Sequence, residues 1–479
     1  MLKRDMMFKK KLYQLVKNSY RKKLAKNSSS PRVMADLEQL PKSETLLLRK
    51  KHIGEACQLF FQRDPLKIVR AKGQYMYDEN GDSYLDCINN IAHVGHCHES
   101  VVKACSDQMA VLNTNIRFLH DNLVMCAKKL TETMPEPLSV CFFVNSGSEA
   151  NDLALRIARA HTKNEDVICM ERAYHGNSTT LINISPYKFE EGKFPKKDWV
   201  HVAPIPDSYR GKYSGYFDDL GELYANEVIP IIEEIQNNER GLAAFIAESA
   251  PCCGGQVMFP PNYLKNVYSL VRKAGGVCIA DEVQVGFGRL GKHWWGFQAQ
   301  DVVPDIVTVG KAMGNGFPVA AVITTKKLAE SFRDTGMVFF NSFGGNPVSC
   351  AAAIAVMDVI ENEKLMENAI KVGSYLLNGF QKLADKYSII GDVRGSGLFI
   401  GIELVKDRST KKPAIAETQQ ILSRFKEKRI LLSCDGPYRN VLKIKPPMVF
   451  DMNNADHLLN SFDLILTELK KDMFINGSG

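Results

Sequence analysis

Two apolar, β-branched runs about thirty positions apart constrain this chain more than any other feature. Val277-Cys278-Ile279-Ala280 leads into Asp281-Glu282-Val283-Gln284, and Asp305-Ile306-Val307-Thr308-Val309-Gly310 delivers Lys311. Short runs of this kind, each ending in polar residues, suit parallel strands buried on both faces whose carboxyl ends open into one crevice. A lysine at such an end must be desolvated or paired, and desolvation makes it a usable amine. Alone, Lys311 reads equally well as a lysine snorkelling at a strand end.

The partner run changes that balance. An aspartate able to hold a pyridinium nitrogen, beside a lysine able to form a Schiff base, is the pairing that pyridoxal phosphate chemistry needs. Upstream, the strand Phe142-Phe143-Val144 breaks at Asn145-Ser146-Gly147-Ser148, and a helix runs on through Leu153-Ala154-Leu155-Arg156. Free N–H groups and the positive dipole end make such a start an anion seat, and Gly147 permits close approach. An ordinary serine N-cap explains the same residues. Tyr174-His175-Gly176 follows another strand, as an aromatic loop aimed at the crevice or as a plain surface loop.

Charge separates the N-terminus from the rest. The formal net charge is +7, but residues 1–33 hold eleven Lys/Arg against Asp5 alone, a local +10 that leaves −3 elsewhere. The body of the chain is therefore not a nucleic-acid binder on charge grounds. In the basic segment, Phe8, Leu12, Leu15, Val16, Tyr20 and Leu24 fall broadly on one helical face. That suits a mitochondrial matrix targeting peptide, with a basic tail as the alternative, or a start at Met34 and a cytoplasmic protein. No apolar run approaches the roughly 20 residues needed to span a bilayer. Twelve scattered cysteines, without a C-x-x-C spacing and with Cys252-Cys253 adjacent, read as reduced thiols in a reducing compartment.

Ile68-Val69-Arg70, Tyr75-Met76-Tyr77 and Tyr84-Leu85-Asp86 form a small antiparallel unit around Asp78-Glu79-Asn80-Gly81. His93-Val94-Gly95-His96-Cys97-His98 invites a metal reading, but no second cluster with ligand spacing follows, so a loop entering a helix near Glu99 is expected and no metal. Strands at 166–170, 243–248, 276–281, 305–310 and 318–325 alternate with helical stretches, which argues a mainly parallel sheet covered by helices. From Pro347 to about Tyr387 one long helical stretch is expected, then strands at 398–404, 430–433 and 441–444. The resulting division is a basic extension (1–40), an N-terminal segment of a small domain (41–100), a cofactor-binding large domain (101–345) and a C-terminal small domain (346–479).

Ser146-Gly147-Ser148-Glu149-Ala150, Tyr174-His175-Gly176, Asp281 through Arg289, Lys311 and Phe343-Gly344-Gly345-Asn346-Pro347, in this order, resemble the class III pyridoxal-phosphate-dependent aminotransferases. The resemblance covers roughly residues 45–470. It implies fold type I: an α/β large domain on a mainly parallel sheet, and a smaller α+β domain built from N- and C-terminal segments. Leu85 through His96, Arg117-Phe118-Leu119-His120-Asp121-Asn122, Ile184 through Phe189 and Leu442 through Met448 look like one branch of that family. Its members are ethanolamine-phosphate phospho-lyase and 5-phosphohydroxy-lysine phospho-lyase, proteins often labelled alanine–glyoxylate aminotransferase-like.

The resemblance implies a role for each matching residue. Lys311 forms the Schiff base and moves the proton, and Asp281 holds the pyridine nitrogen, with His175 in the cofactor site. Gln284 bonds the ring hydroxyl, while Tyr174 and Val283 take the two ring faces. Backbone amides of Gly147 and Ser148 seat the cofactor phosphate, completed by Ser342 from a neighbouring subunit, where the family usually has Thr. Arg394 matches the arginine that takes a substrate α-carboxylate. Glu248 matches a family glutamate, although Ser249 follows where Pro is usual. Arg117, Lys443 and Lys445 are candidates for a substrate phosphate. The implied activities are phosphate elimination from a small phosphorylated amine, or transamination with alanine as donor and glyoxylate as acceptor. Retention of Lys311 and Asp281 argues against a non-catalytic relative. A homodimer with shared sites is implied, with a tetramer open.

Overall fold

The structure is a computed structural model that describes residues 40–476 except 89–90, 191, 193–194 and 216–217. The basic segment 1–33, and with it the targeting expectation, lies outside the described residues, as do Asn89 and Asn90 of the branch motif. The chain divides into two compact units between Val69 and Arg70. In the described part of the first, the helix Lys42–His52 buries no residue and ends in Arg49, Lys50, Lys51 and His52, cations suited to its negative dipole end. Arg49 Nη2 donates to Cys57 O at 2.7 Å.

The second unit is built on a seven-stranded sheet. Its strands lie in the order Leu138–Val144, Ala320–Thr325, Ile306–Val309, Val277–Asp281, Leu242–Glu248, Asp166–Met170 and Val200–Ala203. All neighbours run parallel except Ala320–Thr325, which is antiparallel to both of its partners. Six strands therefore share one direction, and Val144, Val309, Asp281, Glu248 and Met170 end along one edge. The strands Asp166–Met170, Leu242–Glu248 and Val277–Asp281 are buried at every position, which is why they read as continuous apolar runs. Register sets Glu248 beside Asp281, and Asp281 beside Thr308.

The expected antiparallel pair near residue 80 is present: Tyr75 lies opposite Leu85, and Ile430–Leu431 joins the same sheet parallel to Ser83–Asp86. The helix after the histidine-rich loop spans Glu99–Val111. The helical stretch expected from Pro347 to about Tyr387 is present as two helices, Pro347–Asn362 and Leu365–Lys386. Glu361 through Lys364 are all exposed, so no apolar face carries a helix through them, and Lys364 turns with φ 52°.

Beyond, a sheet in the order Ile390–Ser396, Phe399–Asp407, Val441–Ile444, Ser433–Asp435 is antiparallel throughout. Ile390–Ser396 was not expected from the sequence. Its Gly391, Asp392, Arg394 and Gly395 give no apolar alternation, and pairing across a tight turn to Phe399–Asp407 supplies what propensity lacks. No helix among the described residues is long and apolar enough to cross a membrane.

Candidate functional site

A cavity of about 280 Å³ opens where the carboxyl ends of the parallel strands meet. Its walls include Gly147, Ser148, Tyr174, His175, Asp281, Val283, Gln284 and Lys311, eight residues singled out by sequence and drawn from four separate stretches. Lys311 follows the strand Ile306–Val309 and starts a single 3-10 turn with φ 36°, an uncommon conformation for a side-chain-bearing residue. Strain of this kind concentrates where surrounding structure fixes a functional group.

Asp281 is almost fully buried, and its carboxylate is held by donors from three elements. His175 Nδ1 donates to Oδ2 at 2.8 Å, Asn151 Nδ2 donates to Oδ2 at 2.7 Å, and the Val283 amide donates to Oδ1 at 3.1 Å. Asn151 is fixed in turn by Thr308 Oγ1, which donates to its Oδ1 at 2.6 Å. Neither Asn151 nor Thr308 was singled out by the sequence reading. Their signal was position: Asn151 sits one helical turn beyond Gly147, and Thr308 stands in register with Asp281.

The helix Gly147–Thr162 starts at this cavity. Ser146 caps it by accepting from the Glu149 amide at 3.2 Å, so the plain N-cap reading holds for Ser146. Helix geometry leaves the first-turn N–H groups of Gly147 and Ser148 without intrahelical acceptors beside the cavity. A Cβ on Gly147 would stand 2.8 Å from Val283 Cγ1, so any larger residue must displace that wall of the cavity. Ser148 Oγ accepts from the Asn177 amide, tying the helix start to the loop after Tyr174-His175-Gly176.

The remaining sequence candidates lie outside the cavity lining. Glu248 is buried behind it, accepting from the amides of Tyr174 and Cys252 at 3.2 Å each. Burial, with Cys252 and Asp281 nearby, pushes its carboxyl up to about 8. Lys445 is fully buried, and its Nζ donates to Gln284 Oε1 and to Cys252 Sγ at 3.0 Å each, so it touches a wall residue from behind. Lys443 pairs with Asp435, and Arg394 with Asp392 and Glu403. Arg117 and Ser342 are exposed, and the Arg117 guanidinium lies 4.1 Å from the Phe340 ring centroid.

An acid, an amine, an aromatic side chain and a helix N-terminus thus line one cavity. The chain belongs to the class III aminotransferase family, described as "Aminotransferase class-III", which matches residues 61–466. It has the type I fold of that family's pyridoxal-phosphate enzymes, and it is an enzyme of that class. An "Alanine--glyoxylate aminotransferase 2-like" protein of Drosophila melanogaster is 56% identical over 440 residues, covering 91% of this chain and 89% of that one. "Ethanolamine-phosphate phospho-lyase homolog 1" of Caenorhabditis elegans is 46% identical over 93% of this chain and 97% of its own. Among solved structures, an Arthrobacter phospholyase in complex with phosphoethanolamine superposes with a TM-score of 0.84 at 38% identity, over 88% of this chain and 99% of that one.

Proposed function

We propose that this chain is a pyridoxal-phosphate-dependent phospho-lyase acting on an O-phosphorylated amine, phosphoethanolamine or 5-phosphohydroxylysine. The observation that carries the cofactor is one cavity lined by Lys311, Asp281 and the start of the Gly147 helix. Likeness to two proteins named for phosphate elimination, one of them solved with phosphoethanolamine, favours the lyase over the transaminase.

The residues fit the cofactor. Gly147 leaves room that a Cβ would fill, and the donor set around Asp281 suits a carboxylate opposite a protonated ring nitrogen. In this reading Asp281 holds that nitrogen, braced by His175 and Asn151, and Gln284 takes the ring hydroxyl. Tyr174 and Val283 enclose the ring, and the Gly147 and Ser148 amides take the phosphate, joined by Ser342 from a second copy of the chain. Bound pyridoxal phosphate supplies the electron sink that makes a proton on the substrate's amine-bearing carbon acidic.

Lys311, which lines the cavity from a constrained turn, takes that proton. The electron pair left behind expels phosphate from the neighbouring carbon. With phosphoethanolamine and water the products balance as acetaldehyde, ammonia and phosphate. A leaving phosphate needs cationic donors; Lys445, Lys443 and Arg117 are the candidates by motif, all lie outside the cavity lining, and Lys445 reaches a wall residue, Gln284, from behind.

A homodimer with shared sites fits the exposed apolar side chains of Phe118, Leu119, Val338 and Phe343, on the two stretches that Arg117 and Phe340 bring together. Matrix targeting remains our proposal for residues 1–33, resting on their charge and one-sided apolar pattern.

Phosphate release from phosphoethanolamine tests the reading. Phosphate and acetaldehyde in equal amounts, without added keto acid, are expected. Product formation only when glyoxylate or pyruvate is added would make the chain a transaminase.

A further inference from the structure

Lys445 is a buried lysine whose nearest anionic partner is a thiol. Lys445 and Cys252 are each 1% exposed. Lys445 Nζ donates to Cys252 Sγ and to Gln284 Oε1 at 3.0 Å each, and among the described residues no carboxylate pairs with it. A buried ammonium without an opposite charge is costly, so Cys252, the partner able to ionise, carries that charge as a thiolate. Asp435 Oδ2 lies 3.9 Å from Sγ, but Lys443 claims that carboxylate. Cys253 beside it, with the Lys445 and Lys443 charges, outweighs burial and holds the Cys252 thiol well below its ordinary range.

Backbone hydrogen bonds hold both partners in place. The Cys252 amide donates to Glu248 Oε2 at 3.2 Å, and its carbonyl accepts from the Gly255 amide at 3.0 Å. The Lys445 amide donates to Cys87 O at 2.9 Å. Nitrogen and sulfur therefore meet without rearrangement. Cys253 is the rival partner for Cys252, and the peptide between them is trans. Adjacent Cα atoms then stand about 3.8 Å apart, below the roughly 4.4–6.8 Å that a disulfide spans. Cys252 sits on the loop between the strand Leu242–Glu248 and the helix Tyr263–Lys273. Local opening of a loop admits an oxidant as small as hydrogen peroxide.

We propose that Cys252 and Lys445 form a site of oxidative modification, at which hydrogen peroxide joins them through a sulfur–nitrogen bond. The thiolate attacks the O–O bond: an S–O bond forms, sulfur is oxidised to sulfenic acid, and peroxide is reduced to hydroxide. Loss of the thiolate charge removes what kept Lys445 protonated, and its proton passes to that hydroxide to give water. Burial, with Lys443 nearby, holds the Lys445 ammonium below its ordinary range and so favours the free amine. The Nζ lone pair then forms the S–N bond as the S–O bond breaks, and the departing hydroxyl takes an amine proton as a second water. Thiolate, ammonium and one peroxide thus give the S–NH bridge and two waters. The bridge withdraws a charged donor from Gln284, a wall of the cavity. That consequence rests on the cofactor site proposed above; the bond itself does not.

Peptide mass mapping of the full chain, loaded with pyridoxal phosphate and treated with hydrogen peroxide, tests this. The expected product is a cross-linked pair of peptides holding Cys252 and Lys445, reversed by dithiothreitol. It should form in Cys253→Ser and be absent from Cys252→Ser. A Cys252–Cys253 disulfide in its place overturns the proposal, as does Cys252 sulfinic acid with Lys445 unmodified. Unreacted Cys252 at a dose that oxidises the exposed Cys57 and Cys97 overturns it too. The bridged chain should need about tenfold more pyridoxal phosphate to recover its absorbance after dialysis, in line with loss of one charged hydrogen bond, until dithiothreitol restores it. Unchanged retention in a bridged chain overturns the link to the cavity. A chain that binds no pyridoxal phosphate before treatment would instead defeat the cofactor reading, while the mass map still scores the bond.

Discussion

Asn151 donates its side-chain amide to Asp281 Oδ2 at 2.7 Å, joining the helix that starts at the cavity to the strand that ends there. The same amide reaches the carbonyl of His175 at 2.8 Å, so one side chain ties the acid, its imidazole neighbour and the helix into a single unit. Replacing Asn151 by Ala leaves Asp281 short of a donor and Thr308 Oγ1 without its acceptor. Loss of a buried hydrogen-bond partner costs about 1–3 kcal/mol. Weakened cofactor retention, by about tenfold or more, is the expected outcome, read as the cofactor concentration needed to restore absorbance after dialysis. Unchanged retention would remove Asn151 from the site.

Gly147→Ala should act through Val283. The added Cβ would stand 2.8 Å from Val283 Cγ1, closer than real contacts, so the helix start and the valine must separate. Overpacking of this kind costs about 1–3 kcal/mol, and here the displaced groups are cavity walls. Cofactor affinity should fall more than the melting temperature of the cofactor-free chain. Equal losses in both would mean that Gly147 serves packing alone.

Stability should fall as pH rises from about 4.5 to 8. Burial pushes the Glu248 carboxyl from an ordinary 4.5 up to about 8, and that of Glu282 up to about 7. Below about 4.5 both are protonated whether the chain is folded or not. Above it the unfolded chain releases these protons first, so it is favoured progressively until the folded groups also ionise. Urea midpoints measured from pH 5 to 8 should decline, and Glu248→Gln should flatten the decline while lowering stability at pH 5, because its amide cannot accept from both the Tyr174 and Cys252 N–H groups. A wild-type midpoint rising over that window would contradict the assignment.

Lys445 touches the cavity wall by donating to Gln284 Oε1 at 3.0 Å. Lys445→Met removes that donor and one of the cations proposed for the leaving phosphate. The expected result is a rise of about tenfold in KM for phosphoethanolamine, in line with loss of one charged hydrogen bond. The same change at Lys443 or Arg117 tests the other two candidates. A KM unaltered by Lys445→Met would exclude Lys445 from the phosphate seat.

Much of the architecture was legible because the strands Val277–Asp281 and Ile306–Val309 are buried on both faces and written in uninterrupted apolar residues. Their polar ends marked the crevice, and eight candidates meet there. Long-range pairing left weaker traces. Ile390–Ser396 is a strand because a partner and an ion-pair network hold it, and Arg394 alone gave no sign that Asp392 and Glu403 would claim it. Asn151 looked like one more residue of an amphipathic helix, since its meaning depends on a carboxylate 130 positions away.

The most direct test of the central claim is borohydride reduction of the chain loaded with pyridoxal phosphate, followed by peptide mass mapping. A visible absorption band bleached by borohydride, with the cofactor fixed on the side chain of Lys311 and absent from Lys311→Ala, is the predicted result. Material that stays colourless after loading, or carries the label on a different lysine, would contradict the account.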